Sequence, residues 1–279
     1  MELENKLMSK FLDDINHNRL VLPTLPEVAL KVRDMVEDPN SSAAQIAVAI
    51  GSDPVLSARM LQVANSAAYR PANPINNLQN AISRLGGVVV RNIITSMVME
   101  QLYQGERNTK VTTHLKKLWL HSTKVAAISH VMARKFTKLK ADQAMLAGLI
   151  HDIGAIPIIN EGIHTPELLE DEALMNKVIH KLHTLIGTSI LDDWNFPQEL
   201  IDVVAQHEQL DRDSDSPIDY VDIVTVANLH SYIGTEHRLA QTDWSTISAF
   251  NKLGLSPEES ILAMEEAQEE VAMVQKIFS

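Results

Sequence analysis

Apolar residues recur every three or four positions through most of the second half of the chain, and polar residues interrupt each series at one place. Leu115, Leu118, Val125, Ile128 and Met132 form one helical stripe, and His121 completes it. Ile179, Ile186 and Ile190 form a second, with His183 in the gap. After Pro197, Leu200, Val204 and His207 share a face, and Val221, Val224 and Tyr232 share another with Asn228. A short apolar helix is predicted over Ala141 to Ile150, ending in His151-Asp152 with Gly154 and Pro157 close behind. Ser256-Pro257-Glu258-Glu259 caps a last amphipathic helix that reaches Ile277.

The first hundred residues read as about five short helices, set by their start and stop signals. Thr24-Leu25-Pro26-Glu27 and Ser42-Ala43-Ala44-Gln45 have the capping-box pattern, and Asp53-Pro54 places a cap before a first-turn proline. Leu78 to Leu85 ends at Gly86-Gly87. Residues 88–90 have strand propensity, but the apolar run continues through Ile93, Ile94 and Met97, which favours helix. Residues 70–74 and 103–106 read as loops. The fold class is all-α: an N-terminal helical lobe over 1–108 and a second over 109–279 that includes the C-terminal helix, with the boundary near 103–113. No repeat of 20–50 residues is visible.

Composition narrows the function. There is no cysteine, which removes disulfides, thiolate metal sites and cysteine nucleophiles. No stretch is long and apolar enough to span a membrane, and the N-terminus lacks the apolar core of a signal peptide. A cytoplasmic protein with no membrane association is expected. The formal net charge of −12 argues against broad nucleic-acid binding but leaves room for a local phosphate site. Lys116, Lys117, Arg134, Lys135, Lys138 and Lys140 read as a solvated face, and Arg59, Arg70, Arg84 and Arg91 as partners for the surplus acids. The acidic 211–219 segment lacks the glycine and glutamate spacing of a calcium loop.

Four histidines and Asp152 remain. A buried imidazole without partners costs about 1–3 kcal/mol, so several facing one core either satisfy one another or share a cation. Imidazole with carboxylate suits Zn, Fe, Mn or Ni.

His121, then His151-Asp152 inside LAGLIHDIG, resemble the first half of the HD phosphohydrolase pattern. The longer segments LPTLPEVALKVRDMVEDPNSSAAQIAVAIGSDPVLSARMLQVANSAAY and INNLQNAISRLGGVVVRNIITSMVM strongly resemble the HDOD family, the HD-related output domain. HTLIGTSILDDWNFPQELIDVVAQHEQL and DIVTVANLHSYIG are similar to its second half, so the resemblance covers nearly the whole chain. It implies an N-terminal helical bundle packed against an HD-like helical bundle, a bacterial signalling context, and action through a signalling protein partner or a small phosphate-bearing ligand. Metal-dependent hydrolysis of a nucleotide or other phosphate ester is the alternative.

On this resemblance the metal ligands are His121, His151, Asp152, His183 and His207, with Asp152 also the catalytic candidate. His121, His151, Asp152 and His207 are expected within a few ångströms, with His183 at the edge. Two departures bear on activity. Asn228 stands where HD hydrolases place a final metal-binding Asp, and Glu208 stands where relatives with two metals carry a second His. The Gly-Tyr-Pro signature of cyclic-di-GMP phosphodiesterases is absent. A single divalent cation and weak or absent turnover are therefore expected.

Overall fold

The computed structural model describes residues 2–17, 19, 23, 26–66, 69, 74–104 and 108–278, and these contain helices with no strand. The first half holds α1 (Glu2–Asn16), α2 (Glu27–Glu37), α3 (Ala43–Gly51), α4 (Pro54–Ala64), α5 (Leu78–Leu85) and α6 (Gly87–Met99). The second holds α7 (Thr109–Phe136), α8 (Ala141–Ile150), α9 (Ala155–Glu161), α10 (Pro166–Glu170) and α11 (Glu172–Asp193). It continues with α12 (Gln198–Gln206), α13 (Tyr220–Ser231), α14 (Ser248–Lys252), α15 (Pro257–Glu266) and α16 (Gln268–Gln275).

The expected caps form at two of the three starts. Ser42 and Gln45 close a reciprocal capping box, and Asp53 accepts from the Val55 and Leu56 amides ahead of Pro54. Thr24, the third, lies outside the described residues, as does most of the 70–74 loop. Gly86 has φ of +84°, which ends α5 and lets α6 leave at 116° to it.

Two helical features differ from the sequence reading. One is α1, which buries Leu7 and Phe11 against α11 and sets the buried Glu4 carboxylate between Lys177 (2.8 Å) and Lys181 (2.7 Å). The other is the C-terminal helix, which breaks at Ala267 into α15 and α16. The break lets Met264 face the core from one segment while Val274, Ile277 and Phe278 bury from the next, with α16 lying on α7.

The centre of the molecule is α8, buried along its whole length between α6, α7 and α13. Where α6 meets it, Asn92 donates to Asp142 Oδ2 at 2.6 Å and to Gln143 Oε1 at 2.9 Å, all three being buried. Arg33 of α2 also donates to the Trp194 carbonyl at 2.6 Å, so the halves are joined by polar as well as apolar contacts. Among the described residues no single helix is long and apolar enough to cross a membrane.

Candidate metal centre

The five candidate residues come from four places on this frame. His121 lies mid-way along α7, His183 mid-way along α11, and His207 is the residue that ends α12. His151 and Asp152 occupy the turn between α8 and α9. Two glycines allow that turn to meet α11 backbone to backbone. A Cβ on Gly154 would stand 1.9 Å from the His183 carbonyl oxygen and 2.5 Å from the Gly187 nitrogen. Only the absence of a side chain permits this approach.

The result is four histidines arranged about one carboxylate. Asp152 Oδ2 is 3.2 Å from His151 Nε2 and 3.5 Å from His121 Nε2. Asp152 Oδ1 is 3.3 Å from His207 Nε2 and 3.4 Å from His183 Nε2. Within each pair the Nε2 atoms approach to 3.2 Å (His121 and His151) and 3.3 Å (His183 and His207). Thus His183, expected at the edge, is buried and belongs to a second trio that mirrors the first.

The outer ring nitrogens decide what the inner ones can do. His151 Nδ1 donates to the Gly148 carbonyl at 2.7 Å, His183 Nδ1 to that of Ile179 at 2.8 Å, and His207 Nδ1 to that of Val203 at 3.1 Å. Ser231 Oγ donates to the Asn228 carbonyl at 2.6 Å, so at 3.4 Å it accepts from His121 Nδ1. With Nδ1 carrying the proton on every ring, four neutral Nε2 lone pairs converge on a carboxylate. Burial, with His151 alongside, pushes His121 down to about 3 despite the opposing pull of Asp152.

Acceptors crowded against acceptors need a positive centre between them, and the spacing suits one. Ligands at about 2.0–2.2 Å from a cation, subtending about 100°, stand about 3.1–3.4 Å apart, close to the separations in both trios. Each trio is two imidazoles and one carboxylate oxygen, a donor set for Fe, Mn, Ni or Zn. Nearby, Asn228 is buried and its Oδ1 has no hydrogen-bond partner among the described residues. It shares a face of α13 with Thr225, which donates to the His207 carbonyl, and with Tyr232, whose hydroxyl is 3.4 Å from His121 Nε2. The Asn228 backbone carbonyl is tied to the centre through Ser231, which contacts His121.

Glu208 plays a different part. Its carboxylate pairs with Arg238 and lies 3.1 Å from His180 Nδ1. The second trio is assembled from His183 and His207 and makes no use of position 208, so the substitution there does not dismantle it.

A cleft of about 990 Å³ opens over His121, Asp152 and His183, with Lys117, Lys177, Tyr232, His237 and Arg238 among its walls. The sequence reading took Lys117 for part of a solvated face and Tyr232 for part of an apolar stripe, and it gave no signal for Lys177, His237 or Arg238. Tyr232 stacks on His121 (centroids 4.9 Å apart) and on His237 (3.7 Å), and burial, then Asp152, raises its hydroxyl pKa. Within the cleft Lys117 pairs with Glu172, and other charged groups are committed elsewhere: Arg134 to Glu270, Arg59 to Glu100, and Arg212 to Asp219 and Asp222.

The HDOD domain family model matches residues 22–210. The chain belongs to the HDOD domain family. Among solved structures, this HDOD protein superposes over 100% of both chains on a "Putative metal-dependent phosphohydrolase" from Shewanella amazonensis SB2B, with a TM-score of 0.82 and 30% identity. It shares the fold of an HDOD domain protein from Geobacter sulfurreducens, with a TM-score of 0.66, 23% identity and 99% of both chains covered. An uncharacterized protein of Treponema pallidum (strain Nichols) is 24% identical over 225 residues, 75% of this chain, which spans only 42% of that protein's length.

Proposed function

We propose that this HDOD protein holds divalent cations at its histidine and aspartate centre and binds a small phosphate-bearing ligand in the cleft above, acting in bacterial signalling through that bound state and a protein partner. The observation that carries this reading is the convergence of four Nε2 lone pairs on the two oxygens of Asp152, with every Nδ1 committed to a protein oxygen. When bound, divalent cations supply Lewis-acid charge for phosphoryl oxygens. The residues of the chain do the rest. Asp152 ties the two histidine pairs together and the four carbonyl or hydroxyl contacts fix the ring orientations. Lys117, Lys177 and Arg238 line the cleft, paired with Glu172, Glu4 and Glu208, and would have to exchange those carboxylates for a phosphate, and the Tyr232 hydroxyl offers a donor beside His121.

Hydrolysis of the bound ester is the second reading. The open cleft directly over Asp152 favours it, as does the 30% identity to the Shewanella protein named for that activity. Asn228 weighs against fast turnover, because an amide oxygen brings a dipole where a carboxylate brings a full charge. The test is a phosphate-ester panel with the Mn-, Fe-, Ni- and Zn-loaded protein, read for binding and turnover together. Expected are saturable binding, turnover below about 1 s⁻¹, the low end of the usual enzyme range, and a gain of turnover in Asn228→Asp. Faster turnover abolished by Asp152→Ala would establish the hydrolase instead, and no binding by any ester would refute both readings.

A further inference from the structure

A second cavity, of about 140 Å³ and lined by both charged and apolar side chains, lies where the two halves meet, and it shares no lining residue with the metal cleft. Arg33 and Glu37 of α2, Arg91 and Thr95 of α6, and Phe196 and Pro197 ahead of α12 line it. We propose that this cavity binds a small oxyanion, a phosphate group or a carboxylate, between the two guanidinium groups and the Thr95 hydroxyl, beside the start of α12.

Thr95 is 5% exposed, yet its hydroxyl has no hydrogen-bond partner among the described residues. A helical threonine usually donates to the carbonyl four residues back, so a hydroxyl left toward a polar cavity is available to a ligand. The start of α12 is equally uncommitted. Pro197 provides no side-chain cap, and its carbonyl takes the Leu200 and Ile201 amides, which leaves those of Gln198 and Glu199 without a partner among the described residues. Free amides at a helix start attract anions.

The arginines are held in place without being used up. Arg33 spends Nη1 on the Trp194 carbonyl and Nε on Asp34 Oδ1, 3.4 Å away, which leaves Nη2. Arg91 donates Nε and Nη2 to Asn92 Oδ1 at 3.2 and 3.1 Å, and Asn92 is itself fixed by Asp142 and Gln143. The competing carboxylate, Glu37, is 3.9 Å from Arg91 Nη1 and its side chain is 60% exposed, so it screens the site weakly. Asp34, 3.4 Å from Arg33 Nε, is likewise an exposed side chain (67%), so both carboxylates can give way to a bound anion. The volume equals that of about four to five waters, room for one phosphate group or a short carboxylate but below the range of about 300–1,000 Å³ typical of larger ligands. The same helix ends at His207, so the site stands at the far end of the element that supplies one candidate metal ligand.

Sulfate and acetate are the probes, titrated into metal-loaded and chelator-treated protein and followed by amide NMR and calorimetry. Expected is a saturable shift of the Gln198 and Glu199 amides in both preparations, weakened about tenfold or more by Arg91→Gln and severalfold by Thr95→Val. Tighter sulfate binding identifies a phosphate-type ligand, and tighter acetate binding a carboxylate. Because chelation leaves the expected result unchanged, failure here is separable from failure at the metal centre. The proposal is overturned if neither anion shifts those amides up to about 100 mM, or if Thr95→Val and a folded arginine variant (Arg91→Gln or Arg33→Gln) bind as wild type does.

Discussion

Gly154→Ala places one methyl group at the crossing that builds the second trio. The new Cβ would lie 1.9 Å from the His183 carbonyl oxygen, where ordinary contact begins near 3.4 Å. The two segments must therefore separate by about 1.5 Å, and neither obstructing atom can rotate away, because both belong to the backbone of α11. Asp152, two residues before the substitution, moves relative to His183, 3.4 Å away. Metal–ligand distances tolerate only about 0.2 Å, so even a third of this displacement takes His183 out of range. Overpacking of this kind costs about 2–3 kcal/mol, which for a chain of this size lowers Tm by about 4–12 °C. Metal titration followed by elemental analysis, alongside thermal unfolding of the metal-free protein, measures both effects. Expected are loss of one cation per chain, with the His121 trio retained, and a lower Tm. A variant with unchanged stability and full metal content would refute the close-approach argument.

Two further outcomes follow from contacts away from the centre. Asn92→Leu removes the donor to the buried Asp142 carboxylate and to Gln143 Oε1, and should cost about 1–3 kcal/mol in urea unfolding. Hydrogen bonding to Lys177 and Lys181 holds the Glu4 carboxyl down to about 2 from 4.5, so its contribution to α1 docking is complete above about pH 4.5 and is lost as the pH falls toward 2. Amide exchange in α1 should accelerate over that interval relative to α8, and Glu4→Gln should show the fast exchange already at neutral pH.

Helix positions were legible wherever a stripe and its caps agreed. Ala141–Ile150 emerges with the bounds its punctuation implied, because charge and glycine flank an apolar run. The α1 helix was not legible, since Leu7 and Phe11 are too few to announce a buried face until α11 supplies the partner surface. The C-terminal break at Ala267 carries no proline or glycine, and only the shape of the core beneath it calls for the turn. At the site, polar residues standing in apolar stripes pointed to His121, His183, His207 and Asn228. Their pairing was hidden, because it depends on the two oxygens of one carboxylate facing opposite histidine pairs, a property of the Gly154 crossing and not of any one stripe. The cleft walls were hidden for a related reason: Lys177 and Arg238 look like any exposed base until α1 and Glu208 orient them.

The central claim is that one carboxylate joins two histidine pairs into a centre for divalent cations. Elemental analysis of the purified protein after loading with Mn, Fe, Ni or Zn and removal of excess metal tests it directly, with Asp152→Ala and His183→Ala measured in parallel. Two cations per chain are expected in wild type, one in His183→Ala, and little or none in Asp152→Ala. A folded wild-type protein that retains no metal, or one whose metal content is indifferent to Asp152→Ala, would contradict it.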